Sequence, residues 1–544
     1  MPALGSSARL LANHRTPLAL VAAMLLVTTA LPLPGQDTVG TRSPIRKRTT
    51  AEDLQMFSQV LNQIRVNHPD SLDMHELFMA AVEGMIHAAD PHSYVIPAMR
   101  LDPAKEAAFR DRKLYPVPIT FRFVDEAPVV VSVEPASTAA RLDILPGDEL
   151  VAVDSKPVDA QSPMELDIVL SGAKNSSVML TFERRRLDGS LARLDRPVKR
   201  ERVDESTAVP AAFLLDAQTG YIRITTFSND KVADDLHDAL GRLEREGMKR
   251  LLLDLRDNGG GRVDQAAHIA GEFLPKGTIV YTAEGRKADV SDTSRVSRSF
   301  WRSERRYPIV LLVNDGTASA SELVAGALQD HDRALVVGRP TFGKSLLMQG
   351  FPMSDGSVFV LVIGHVKTPC GRVIQRQYRT ITRREYYRLA RAERDTAGRP
   401  SCRTDAGRTV YGGGGIYPDV TLGAADEVPA WLERVRENDL VLKWIGGYVS
   451  ANAAALPSLD AFARSPSVAA SALTEFRSFA AQQGVVIPPG EAADTLLQQV
   501  LTRSAALVKF GEAGYYRVAA LLDPTVQQAA RQFDRASGIL AKAP

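Results

Sequence analysis

The chain has 544 residues, 45% of them apolar and 24% charged, with a formal net charge of +2. That length can bury several hydrophobic cores, and the near-neutral balance gives no electrostatic case for a nucleic-acid partner. Nine histidines without ligand spacing and only two cysteines, Cys370 and Cys402, make no metal pattern, and no cofactor motif is found.

Residues 1–35 carry Arg9, His14 and Arg15, then an apolar run from Pro17 to Pro32, then Pro34-Gly35. A basic flank, a short apolar stretch and the small residues Thr28-Thr29-Ala30 read as a secretory signal peptide, or as an uncleaved membrane anchor. Either would export the chain, to the periplasm or to the outer face of the cytoplasmic membrane. Residues 50–96 place Leu54, Phe57, Val60, Leu61 and Ile64, then Leu77, Ala80, Ala81 and Met85, at helical spacing. Two amphipathic helices are predicted there.

Residues 114–200 read as a β module. Val117 to Val133 gives two strands, with Thr120-Phe121-Arg122-Phe123 alternating. Ser137 to Leu142 suggests a short helix. Leu145-Pro146-Gly147-Asp148-Glu149-Leu150 leads into the strand Val151–Asp154, Met164–Leu170 is an amphipathic helix, and Val178–Glu183 closes the module.

Residues 205–425 hold the chemistry. Arg250 to Arg256 is a strand running into Asp257-Asn258-Gly259-Gly260-Gly261. Glycines after a strand let backbone N–H groups converge on an anion, although three together also make an ordinary turn. Tyr307–Asn314 is a buried strand, Ser321–Asp330 has helical spacing, and Ala334–Gly338 is a second buried strand. This is a βαβ unit, so the two strands are expected parallel. Ser319 then falls at a helix N-terminus past the first strand, and Lys344 past the same end of the second, where crevices of open α/β sheets lie. A serine hydroxyl is a poor nucleophile until a base takes its proton, and a lysine is a base only when burial lowers its pKa. Phe342-Gly343 and Leu346-Leu347-Met348 supply that apolar setting. Ser319-Ala320-Ser321-Glu322 is equally a capping box, and a lone lysine is commonly a solvated charge. His331 and His365 are the other candidate bases, but no motif surrounds them. Gly260, with the N–H of Ala320, is the candidate oxyanion site.

At these residues the sequence resembles the carboxyl-terminal processing peptidases, or tail-specific proteases. The resemblance rests on Thr317–Asp330, Arg333-Ala334, Gly338 to Lys344, Asp254–Gly261, Gly220–Ile224, Asp90-Pro91-His92-Ser93-Tyr94, Thr368–Arg372 and Gly412–Asp419. It covers about residues 50–425. It implies Ser319 as nucleophile, Lys344 as general base, and protein substrates with apolar C-termini. The family's glutamine four positions after the lysine is here Met348, with Gln349 next. Adjacent strand residues face opposite ways, so either a bulge turns Gln349 to the lysine or that partner is missing. The β module resembles a PDZ domain, which adds a peptide tail as a strand to its sheet edge. Its carboxylate loop falls at Val117, Pro118, Ile119 and Thr120, where Pro116 and Pro118 remove two N–H donors.

Cys370 and Cys402 flank a loop insertion with a basic run from Arg383 to Arg394, and a disulfide between them is one expectation in an oxidising compartment. Residues 428–544 are Ala- and Leu-rich and broken at Pro457 and Pro488-Pro489. A separate helical bundle is expected, serving as a structural cap or for homo-oligomerisation. The fold class is therefore multidomain α+β: an α/β protease core with a parallel βαβ unit, an inserted PDZ-like β domain, a helical N-terminal region and a helical C-terminal bundle. The function expected is an exported Ser–Lys endopeptidase; the alternative is a PDZ scaffold whose protease core has lapsed.

Overall fold

A computed structural model describes residues 48–98, 102–124, 126–134, 137–160, 162–185, 190–201, 208–297, 305–379, 381–392, 395–423 and 428–543. The candidate signal or anchor lies outside them. No helix among the described residues is long and apolar enough to cross a membrane. The chain divides into two units, Met1–Phe78 and Met79–Pro544.

In the first unit the helix Thr50–Asn67 begins at a capping box, Thr49 with Glu52, and Phe57 meets Phe78 edge to face with ring centroids 6.2 Å apart. The second helix is Met74–Ala89.

The larger unit is built on a six-stranded sheet. Its strands run, from one edge to the other, Val420–Thr421, Leu335–Gly338, Ile309–Val313, Arg250–Asp254, Thr219–Arg223 and Ala211–Leu214. All pairings are parallel except the last. The middle strands are apolar on both faces because both are covered, as a parallel sheet requires. On one face lie the helices Val232–Arg245, Val263–Ala270 and Ala320–Asp330, forming one core with Ile222, Leu251, Leu253, Ile309 and Leu311. On the other, Tyr221, Leu252, Val310, Leu312 and Val337 pack against Ala520, Val526, Ala529, Phe533 and Ala536.

That second face corrects one expectation. The C-terminal helices are not wholly separate: residues 430–518 share a core of their own around Trp444, Phe476 and Leu501, while the end of Glu491–Leu522, Pro524–Ala530 and Phe533–Leu540 form the second helical layer of the protease sheet. The long helix Glu491–Leu522 passes from one core to the other through a kink at Gly511, whose φ of 69° a side chain would resist.

A second, antiparallel sheet joins Tyr94–Ile96, Val358–Lys367, Ile279–Gly285 and Asp292–Arg295, with Leu346–Pro352 paired to Val358–Lys367. The β module has strands Ile119–Val124, Ala127–Val133, Glu149–Val153, Ser177–Arg185 and Leu191–Lys199, the last a strand not expected from the sequence. Ile119–Val124 is an edge strand, with the helix Pro163–Leu170 packed beside it. Val117 and Ile119 are buried in that module's core, Pro118 is buried, and Thr120 is exposed.

Candidate active site

The turn from the strand Ile309–Val313 into the helix Ala320–Asp330 uses alternate residues for two purposes. Thr317 Oγ1 donates to the Leu255 carbonyl at 2.8 Å, and Ser321 Oγ donates to the Asn258 carbonyl at 3.0 Å. Both side chains are fully buried and tie the turn to the end of the neighbouring strand. Ser319, between them, remains partly exposed, at φ 57° and ψ −120°. A non-glycine residue pays strain for that conformation, of order 1–3 kcal/mol, and such outliers collect at functional sites. In strand–turn–helix nucleophile elbows a strained backbone of this kind lifts the serine clear of the sheet.

Gly260 sits against this turn. Its φ is +92°, and a Cβ there would lie 2.7 Å from the Ala318 carbonyl and 2.8 Å from the Ala320 nitrogen, so only glycine fits. Its N–H, expected to face an oxyanion, donates instead to Asn258 Oδ1 at 3.0 Å. The N–H of Ala320 opens the helix, where no intrahelical acceptor exists for it and the dipole is positive. The strand leading to Gly260 is rooted by buried charge. Asp254, fully buried, pairs with Arg223 at 3.0 Å and Arg256 at 2.7 Å, and Arg256 reaches Asp523 at 2.6 Å. Burial pushes the Asp254 carboxyl up, but the two guanidiniums outweigh it and hold the group well below the carboxylate range. The C-terminal helices are thereby tied to the strand that leads to Gly260.

Lys344 lies on the loop after the strand Leu335–Gly338, half-buried, and burial lowers its pKa against the opposing pull of Glu322 and Asp90. No hydrogen bond joins Ser319 Oγ to Lys344 Nζ among the described residues; the two positions are joined through Glu322. This fully buried carboxylate accepts the N–H of Ser319 at 2.9 Å, of Gly343 at 2.8 Å and of Lys344 at 2.8 Å, together with the Thr341 hydroxyl. Burial raises the Glu322 carboxyl to about 7, against those four donors, which favour its charged form. Sequence reasoning saw Glu322 only as a capping partner; its reach to the lysine loop is a tertiary fact.

Gln349 is exposed and paired across the sheet with Leu361. The ladder does carry a bulge beside it, but the register steps from Leu347↔Gly364 to Met348↔Val362, which puts the extra residue, Ile363, on the opposite strand. Among the described residues no hydrogen bond joins Gln349 to Lys344. Neither alternative histidine is at the site. His331 caps the far end of the helix Ala320–Asp330, bonded to Asp405 and the Ile279 carbonyl, and His365 is exposed on Val358–Lys367. Cys370 and Cys402 form a disulfide with Cα atoms 6.2 Å apart.

A serine on a strained turn, at a helix N-terminus and the C-terminal edge of a parallel sheet, is the arrangement of a serine hydrolase. Residues 218–382 match the model of peptidase family S41, and residues 129–184 match a PDZ domain. The chain is 29% identical over 334 residues to the carboxy-terminal-processing protease of Bartonella bacilliformis, spanning 60% of this chain and 74% of that one. It is 36% identical over 248 residues to carboxyl-terminal-processing peptidase 2, chloroplastic, of Arabidopsis thaliana, covering 44% of this chain and 46% of the relative. With the carboxyl-terminal-processing protease of Synechocystis it shares 35% over 238 residues, 43% of this chain and 53% of the relative. Residues 218–382 are thus a peptidase family S41 domain and residues 129–184 a PDZ domain, in a serine-type peptidase similar to the carboxyl-terminal-processing proteases.

Proposed function

We propose that the chain is an exported endopeptidase that cuts protein substrates near apolar C-termini by a Ser319–Lys344 dyad. The observation that carries this reading is Ser319 in its strained turn, with Gly260 pressed against it and Glu322 joining its backbone to that of Lys344. In the reaction, neutral Lys344 takes the Ser319 proton as Oγ bonds to the substrate carbonyl carbon. The carbonyl oxygen becomes an oxyanion facing the Ala320 N–H and the positive end of the helix. The Gly260 N–H joins it by turning from Asn258. As the C–N bond breaks, the Lys344 ammonium gives its proton to the leaving amine. Water, deprotonated by the now neutral Lys344, then attacks the acyl ester, and the ammonium returns that proton to Ser319 Oγ as the new carboxyl group leaves. Dyad contacts that are open without substrate commonly tighten on binding.

The PDZ domain serves to hold the substrate tail, as a strand added to the edge Ile119–Val124. Pro116 and Pro118 supply no N–H to its carboxylate, and the Pro118 carbonyl is already occupied by the Glu134 N–H, so side-chain pockets carry more of the selectivity than carboxylate capture. Export is supported by the Pro17–Pro32 run and by a disulfide suited to an oxidising compartment. The test is cleavage of an unstructured polypeptide with an apolar tail by the wild type, Ser319→Ala and Lys344→Ala. Each variant is expected to lose about 10⁴-fold or more in kcat/KM. Equal cutting by all three, or by none, overturns the dyad.

A further inference from the structure

A lysine that must meet one hydroxyl needs a fixed root, and Gln349 does not provide it. The backbone on both sides of Lys344 is instead held by a segment that follows it by more than thirty residues. The Gly343 carbonyl accepts from the Tyr386 hydroxyl at 3.2 Å and from the Arg376 N–H at 2.9 Å. The Ser345 N–H donates to Gln375 Oε1 at 2.8 Å, and Gln375 Nε2 donates onward to the Tyr386 oxygen at 3.1 Å. Arg376 adds donations to the Phe342 carbonyl at 3.3 Å and the Gly414 carbonyl at 2.8 Å.

The hydroxyl of Tyr386 has one proton and two lone pairs. The Gly343 carbonyl can only accept, so the proton goes there; Gln375 Nε2 can only donate, so it takes a lone pair. His92 Nε2 lies 3.0 Å from the same oxygen and completes its surroundings, its role as donor or acceptor set by its tautomer. The rings of His92, Phe342 and Tyr386 pack edge to face at centroid distances of 5.0–6.3 Å. Tyr386 is completely buried, and His92 and Gln375 nearly so. A filled network this dry has one geometry, and breaking it leaves a buried group without a partner.

We infer that Tyr386 and Gln375 are the positioning residues of Lys344, acting from a later segment in place of a glutamine on the lysine's own strand. The inference rests on the reading of Lys344 as the base. Neither residue touches Ser319; they act by fixing the peptide planes before and after the lysine. The charged groups facing that site are Glu322 from the nucleophile helix, Asp90 from the element before Tyr94–Ile96, and Arg376 from the segment itself. Asp90 is held in turn by the N–H groups of His92 and Ser93 and by the Ser93 hydroxyl. None of these is altered by the two substitutions that test the proposal.

Tyr386→Phe removes only the hydroxyl, and Gln375→Met only the amide, in the full chain. Both are assayed on a fluorescent unstructured peptide with an apolar tail, as kcat and KM across pH, beside Gln349→Ala, Ser319→Ala and Lys344→Ala. The expected result is a fall in kcat of about tenfold to a hundredfold in each, with KM within about twofold. The acidic limb of kcat moves to higher pH, because a loosened lysine is better hydrated and holds its proton longer. The double variant loses less than the product of the single losses. Wild-type kcat and pH profile in both variants overturn the inference, as does a loss in Gln349→Ala that matches Lys344→Ala. Full activity in Ser319→Ala or Lys344→Ala overturns the dyad on which it stands.

Discussion

The two halves of the site are held in opposite ways. The serine half is one turn tied to one neighbour: Thr317, Ser319 and Ser321 lie within five residues, and their partners Leu255 and Asn258 both follow the adjacent strand Arg250–Asp254. The lysine half is gathered from several segments: Glu322 precedes Lys344 by 22 residues, Gln375 follows it by 31 and Tyr386 by 42, and His92 lies 294 residues before Tyr386. The difference teaches where each half is vulnerable. The serine turn stands or falls with the sheet itself, whereas the lysine loop depends on a segment that can loosen while the sheet stays folded.

Glu322 bonds Ser319 and Lys344 at once, where the Phe342 N–H to Thr317 carbonyl bond of 3.0 Å joins only their neighbours, so its loss has the largest expected effect. Glu322→Gln keeps the size but turns an amide NH₂ toward N–H groups that need an acceptor. At least one buried donor is left unpaired, at about 1–3 kcal/mol each. A fall in kcat of about a hundredfold or more is expected, with a lower Tm; wild-type rates would show that the two halves are aligned without it.

What was legible in the sequence follows the same division. The apolar strands, the glycine turn and the serine-capped helix could be read because each is a pattern over ten residues or fewer, and so could the parallel βαβ unit. The Pro524–Ala530 and Phe533–Leu540 helices were visible as helices, but an amphipathic face does not say what it faces, and a sheet 200 residues earlier was not an obvious partner. Gln349 stayed an open alternative because strand parity depends on which strand carries the bulge, and the extra residue is on the opposite one. Tyr386 lay inside the basic run from Arg383 to Arg394, where the arginines mask an apolar face. The available signal was Tyr386 and Ala390, four apart among arginines, which is one buried helical face.

The disulfide offers a way to loosen one half alone. Cys370 and Cys402 bracket the segment carrying Gln375 and Tyr386, 32 residues apart. Cross-linking a loop of that length contributes about 3–4 kcal/mol in the chain-entropy account. In Cys370→Ser/Cys402→Ser, or under reductant, hydrogen exchange is expected to speed up in residues 375–411 while the helix Ala320–Asp330 keeps its protection. Equal loss of protection in both would mean that the halves are one cooperative unit.

A smaller effect probes the serine half. Its φ of 57° is costly for alanine and free for glycine, so Ser319→Gly should exceed Ser319→Ala in stability by about 1 kcal/mol although both are inactive. Equal Tm values would mean that the turn stores no strain.

The smallest effect tests the lysine itself. Burial lowers the Lys344 pKa below its ordinary 10.5, so the folded protein binds fewer protons than the unfolded chain between the lowered value and 10.5. Stability attributable to this group therefore rises with pH across that window. Below it the lysine is charged in both states, and the cost of burying the charge is borne in full. Lys344→Met keeps the length and removes the charge, so the variant should be inactive yet more stable than the wild type. Its advantage should be greatest at pH values below the lowered pKa and shrink as pH climbs toward 10.5. Tm measured for both proteins across that range checks the sign, and an advantage that grew with pH would mean that Lys344 is held as a stabilised cation, which could not serve as the base.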